Sequence, residues 1–169
     1  MASTVKAKTL RVTLTEDLML GDSAYSFKRK LNIPNISDVY KRIVTCIDDL
    51  DTTIAVFKST TAGGAVAETD NAIDHDLVKY IRVTNLDDTN PINLSIQIDL
   101  GNDDTAANAS FTVRVNAGMS YIMDRATGTV AAEDDNAAVQ TTLYDIESIV
   151  VDPLSETVDV EIFVASLRS

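Results

Sequence analysis

Polar and apolar residues alternate one for one in several separate stretches of this chain. The longest is Ile92-Asn93-Leu94-Ser95-Ile96-Gln97-Ile98-Asp99-Leu100, and Phe111-Thr112-Val113-Arg114-Val115 and Val158-Asp159-Val160-Glu161-Ile162 repeat it. Side chains on a β-strand point to opposite faces in turn, so a period of two describes strands with one face on a core and one toward water. Such strands must stack against a second apolar face, which limits the chain to sandwiches, barrels and jelly rolls.

Turn signals separate these runs. Lys8–Leu14 reads as a first strand, Gly21-Asp22-Ser23 as a turn and Tyr25–Leu31 as a second strand, with pairing expected to lapse near Pro34. Ile36, Val39, Tyr40, Ile43 and Ile47 fit a helical stripe, but the β-branched content of that segment favours a strand. Further strands are expected at Thr53–Lys58, Leu77–Thr84, Ile92–Leu100, 110–116, Met119–Met123, Thr141–Val151 and Thr157–Ser166. Those at Leu77–Thr84 and Ile92–Leu100 are expected to form a hairpin, and 60–76 and 125–136 to be loops. The fold class is all-β: one antiparallel β-sandwich over residues 1–169, jelly-roll-like, with eight to ten strands. Ile96, Phe111, Val113, Val160 and Ile162 are the expected core.

The chemical inventory is sparse. His75 is the one histidine, which excludes two-histidine metal motifs and leaves a Ser-His-Asp triad a single candidate base. Asp74-His75-Asp76 reads as an exposed polar loop, since neighbours on an extended chain point apart. Cys46 is the one cysteine, expected to be a buried small hydrophobe. Gly63-Gly64 lacks the lysine and hydroxyl residue of a phosphate loop. Acidic clusters at 48–51, 87–88, 103–104 and 133–135 suit calcium in principle, but none has EF-hand spacing, and Asp and Asn favour turns for local reasons. A sugar platform is poorly served by five Tyr, four Phe and no Trp. The expectation is a chain that is not an enzyme, with no catalytic residues, cofactor or metal.

Charge is uneven. The net value is −12, yet residues 1–42 hold eight Lys and Arg against four acids, leaving −16 for the rest. An acidic surface is a poor match for nucleic acid. No apolar run approaches the roughly 18 residues of a membrane span, and no signal peptide is visible, so neither membrane nor export is expected. The basic N-terminal region is a candidate docking surface for an acidic partner, with Lys28, Arg29, Lys30, Lys41 and Arg42 as its residues.

The middle of the chain resembles a known group. Lys79-Tyr80-Ile81-Arg82-Val83-Thr84-Asn85-Leu86-Asp87-Asp88-Thr89-Asn90, then the alternating strand Ile92–Leu100, Phe111–Val115 and Asn116-Ala117-Gly118-Met119-Ser120-Tyr121, with Val39–Thr45 upstream, is similar to small virion structural proteins of tailed, especially marine, bacteriophages. The resemblance covers roughly the middle half of the chain and transfers no functional residues. It implies a capsid decoration or cement protein in the virion, on the capsid surface, made in the host cytoplasm. Its partners would be the major capsid protein and copies of itself, with a trimer expected because capsid three-fold sites invite one. The alternatives are a tail, fibre or head–tail joining subunit, or a sugar- or calcium-binding module.

Overall fold

The computed structural model describes residues 6–59, 72–100, 109–132 and 139–167. Eleven strands run through them: β1 Lys8–Leu20, β2 Ser23–Ile36, β3 Asp38–Cys46, β4 Thr52–Lys58, β5 Ile73–Asp74, β6 Val78–Asn85, β7 Ile92–Asp99, β8 Ala109–Val115, β9 Ser120–Met123, β10 Asp145–Asp152 and β11 Val158–Ser166. A 3₁₀ turn, His75–Leu77, separates β5 from β6.

Nine of these strands make two packed sheets, in the orders β5-β4-β10-β7-β8 and β3-β11-β6-β9. Setting aside the two-residue β5, which adds in parallel to β4, the pairing is antiparallel and nested. β3 pairs with β11, β4 with β10, β6 with β9 and β7 with β8. This is a long ribbon folded over on itself, first strand against last, which is the jelly-roll arrangement. One expectation is corrected. β6 and β7 do not form a hairpin: β6 bonds to β11 and β9, whereas β7 bonds to β10 and β8. The 86–91 connection carries the chain from one sheet to the other. Alternation reports which side of a strand is buried, and both partners of a cross-sheet corner alternate as a hairpin pair would.

The core lies between the sheets. Leu94, Ile96 and Ile98 of β7 face Val160, Ile162 and Val164 of β11 across it, in one cluster with Phe57, Ile81, Val83, Ile146 and Ile149. Ile96, Val160 and Ile162 are fully buried, while Phe111 and Val113, on the edge strand β8, are only half-buried. At about 1.5–3 kcal/mol for each fully buried large aliphatic side chain, this layer supplies the main driving force for folding. The Tyr40 hydroxyl donates to the Ile54 carbonyl at 3.3 Å, tying β3 to β4 at their shared corner.

The remaining two strands do not join the sandwich. β1 and β2 pair only with each other, as a hairpin arm closed by the two-residue turn Gly21-Asp22. Gly21 has φ +59° and Asp22 does not have positive φ, the type II′ pattern that suits the twist of a tight hairpin. Pairing passes from Leu10↔Ile33 to Lys8↔Ile36, so the ladder skips Pro34 and Asn35. That lapse follows from the missing proline N–H, and Asn35 takes up the irregularity at φ 64°.

Candidate functional site: a two-faced arm

Residues directly opposite each other in an antiparallel pair share a face. In the arm the pairs Leu10↔Ile33, Val12↔Leu31, Leu14↔Arg29, Glu16↔Phe27, Leu18↔Tyr25 and Leu20↔Ser23 therefore make one face, which is predominantly apolar. The other face carries Arg11↔Asn32, Thr13↔Lys30, Thr15↔Lys28, Asp17↔Ser26 and Met19↔Ala24.

Only the base of the arm is seated. Leu10, Val12 and Ile33, with Ile36 at the end of β2, pack against Tyr80, Phe163 and Ala165 on the outer side of the β3-β11-β6-β9 sheet. Tyr80 and Phe163 meet edge to face, with ring centroids 6.1 Å apart. From Thr13 to Asn32 every residue is exposed. Leu14, Leu18, Leu20, Tyr25, Phe27 and Leu31 stand 45–66% exposed on the apolar face.

The five cationic residues expected from sequence do not form one patch. Lys28 and Lys30 lie on the polar face of the arm, where Arg11, missed in the sequence reading, joins them beside Asn32. Arg29 projects from the apolar face opposite Leu14. Lys41 lies on the outer face of the sheet, its Nζ 2.9 Å from Glu161 Oε2. Arg82 contacts the same carboxylate from β6 and lies over the Phe163 ring, 5.8 Å from its centroid. Lys41 first, then Arg82, holds the Glu161 carboxyl below the usual carboxylate range against the opposing effect of burial. Arg42, one residue on and therefore on the opposite face of β3, stacks over Tyr40 at 4.9 Å. Two of the five are thus engaged within the sandwich. The alternation of β3 hid this, because a run of two cations in a strand always splits between faces.

The stretch that carries the resemblance is a hydrogen-bonded corner. Asn85 is fully buried, and its amide donates to the carbonyls of Asn90 at 2.8 Å and Val115 at 3.3 Å, while its Oδ1 accepts from the Asp87 N–H at 3.0 Å. Asp87 Oδ1 accepts from the N–H groups of Thr89 (2.7 Å) and Asn90 (2.6 Å), which pulls its carboxyl below the ordinary range. The Gly118 N–H donates to the Asp87 carbonyl at 2.9 Å, locking the Asn116-Ala117-Gly118 link against this corner. Gly118 has φ +68°, which explains the glycine. The Asp-rich loop is thus occupied with its own backbone. Among the described residues no group of three or more His, Cys, Asp or Glu could hold a metal ion, and the clusters at 103–104 and 133–135 lie outside those residues.

His75 is not on an exposed loop. It is 4% exposed in the 3₁₀ turn, with Nε2 3.9 Å from Asp76 Oδ1 and 4.0 Å from Asp145 Oδ2. The turn buries it because Asp74 caps the turn by accepting from the Asp76 N–H at 3.1 Å, while the His75 carbonyl accepts from the Thr127 hydroxyl at 2.8 Å. Asp145 is itself engaged by the Gly128 N–H. Cys46 is fully buried at the end of β3, and burial raises its thiol pKa. Gly63-Gly64 lies outside the described residues. No helix among the described residues is long and apolar enough to cross a membrane.

The sequence matches no protein-family model and no curated protein. A solved chain from the disulfide-linked pili of Bacillus endospore appendages is similar at 10% identity, over 100% of this chain and 98% of that chain, with a TM-score of 0.41. A likeness at that TM-score carries no argument about what this chain does.

Proposed function

We propose that this protein is a structural subunit of a virion, a capsid accessory protein that decorates the outer shell and stabilises it by binding rather than by chemistry. The observation that carries the reading is the arm: a jelly roll with a filled core holds out a hairpin whose polar face lines up Arg11, Lys28 and Lys30. The resemblance of the middle of the chain to small phage virion proteins supports it. So does the charge layout, since a cationic arm suits an acidic lattice while the strongly acidic body disfavours body-on-body contact. The partner is then the major capsid protein, and the place of action is the capsid surface.

The test is co-sedimentation of the purified protein with capsid shells that lack it. Wild type is expected to pellet with the shells at low salt, and Arg11→Glu, Lys28→Glu, Lys30→Glu together to remain in the supernatant. A wild type that never pellets would end the proposal. Hundreds of copies per particle are expected; a low multiple of three or six would move the chain to the tail or the head–tail joint.

A further inference from the structure

The unseated apolar face of the arm asks for an occupant. We propose that it seats on a second copy of this chain, in the cleft between the base of that copy's own arm and its edge strand β9. The contact does not depend on the capsid reading, which uses the opposite face of the arm.

Area is the first argument. Leu14, Leu18, Leu20, Tyr25, Phe27 and Leu31 together leave uncovered the equivalent of about three large side chains, on the order of 600 Å² on one side of the ribbon. A soluble monomer seldom shows more than about 300–600 Å² in its largest apolar patch. Covered on that side, the arm contributes about 600 Å² to a contact, comparable with the roughly 800 Å² per partner of a standard interface.

The acceptor is the second argument. The base of this same face, Leu10, Val12 and Ile33, already sits on aromatic and aliphatic groups, Tyr80, Phe163 and Ala165. Tyr80 also lines an open cleft of about 580 Å³, together with Leu31, Phe111, Tyr121, Ile122 and Met123. The cleft therefore offers the exposed part of an arm the chemistry that its base has found. The copy's own Leu31 is one wall of this cleft, and the arm residues 13–30 beyond it are exposed.

Charge selects the second copy. Residues 8–36 hold Lys8, Arg11, Lys28, Arg29 and Lys30 against Glu16, Asp17 and Asp22, a balance of +2. With −12 overall, the rest of the chain carries −14. Two bodies repel one another, so arm on body is the pairing of copies in which the signs are opposed. Asp124 stands in the cleft lining, and on the arm's apolar face Arg29 neighbours Glu16, so the opposed sign belongs to the arm as a whole rather than to this face alone. Arm and cleft are different surfaces, so two copies exchange arms about a two-fold axis or several join head to tail as a ring or filament.

Light scattering with size exclusion tests this on the full chain and on variants at exposed positions. Wild type is expected above monomer mass. Leu18→Asp with Phe27→Asp removes the arm contact, Ile122→Asp removes the acceptor, and each variant alone should fall to monomer mass while melting like wild type. An equimolar mixture of the two retains one good arm and one good cleft, and should return to twice the monomer mass. Thr15→Asp, on the polar face, should assemble like wild type. A wild type that stays monomeric at high concentration would overturn the proposal, as would assembly that survives both variants, or a mixture that stays monomeric. A monomeric wild type that loses shell binding in the Leu18, Phe27 variant would assign the face to another protein.

Discussion

Asn85→Ala should be the most damaging single change in the corner between the two sheets. The side chain is fully buried and makes three hydrogen bonds, two as donor and one as acceptor. A net hydrogen bond contributes about 0.5–1.5 kcal/mol, and a buried polar group left without its partner costs about 1–3 kcal/mol. The Val115 carbonyl contact is the longest of the three and counts least. A loss of about 3–4 kcal/mol follows, a large part of the roughly 5–15 kcal/mol that hold a domain together. For a chain of this size it corresponds to a fall in Tm of roughly 6–16 °C. Urea unfolding measures it as a lower midpoint at unchanged slope. Asn85→Asp sharpens the test. It keeps the acceptor for the Asp87 N–H but sets a carboxylate against the carbonyls of Asn90 and Val115. It should therefore be as unstable as alanine near neutral pH and recover part of the loss in acid, where the carboxyl regains a proton to donate. An Asn85→Ala variant within 1 kcal/mol of wild type would refute the claim that this side chain holds the corner.

Four further outcomes are expected. Glu161 is held ionised by Lys41 and Arg82, so its folded pKa lies below its unfolded value of about 4.3. That contribution is complete above the unfolded value and is lost as pH falls through the folded one; wild type and Glu161→Gln should differ in urea midpoint near neutral pH and converge in acid. Ile162→Ala, in the fully buried middle of β11, should cost about 2–5 kcal/mol, read by the same unfolding experiment. Cys46 should resist thiol reagents in the folded protein and react fully once denatured, since burial both blocks it and disfavours its thiolate. Replacing residues 13–30 by Asn-Gly, which joins Val12 to Leu31 through a tight turn, should leave Tm within a few degrees, because the seated part of the arm is retained.

Much of the sandwich was legible because it rests on a local signal. Alternation at Ile92–Asp99 and Val158–Ser166 marks both the strands and their buried faces, and Pro153 marks the end of β10. The arm was legible only in part. Lys8–Leu14 and Tyr25–Leu31 read as short strands, but β1 and β2 run on to Leu20 and Ile36, because Asp17-Leu18-Met19-Leu20 has no alternation and pairs through its backbone instead. Which sheet a strand joins was not legible, since β3 meets β11 across more than a hundred residues and no local pattern encodes that distance. The cations were legible as a basic N-terminal region, but their placement was not: Lys41 and Arg42 look like Lys28 and Lys30 until the neighbours Glu161 and Tyr40 are known.

The seat of the arm sets an order of events in the life of the chain. A hairpin pairs neighbours in sequence and closes within microseconds, whereas a ribbon folded first strand to last must wait for distant segments to meet. A lone two-stranded hairpin is marginal in water. The groups that steady this one, Tyr80 of β6 with Phe163 and Ala165 of β11, come from the middle and the end of the sequence and share a surface only when β6 and β11 have paired. A chain still folding can form the arm but cannot hold it at a fixed angle. The apolar ribbon is therefore held at a fixed base only on a finished body, and the association proposed through it would be reserved for chains that have completed their fold.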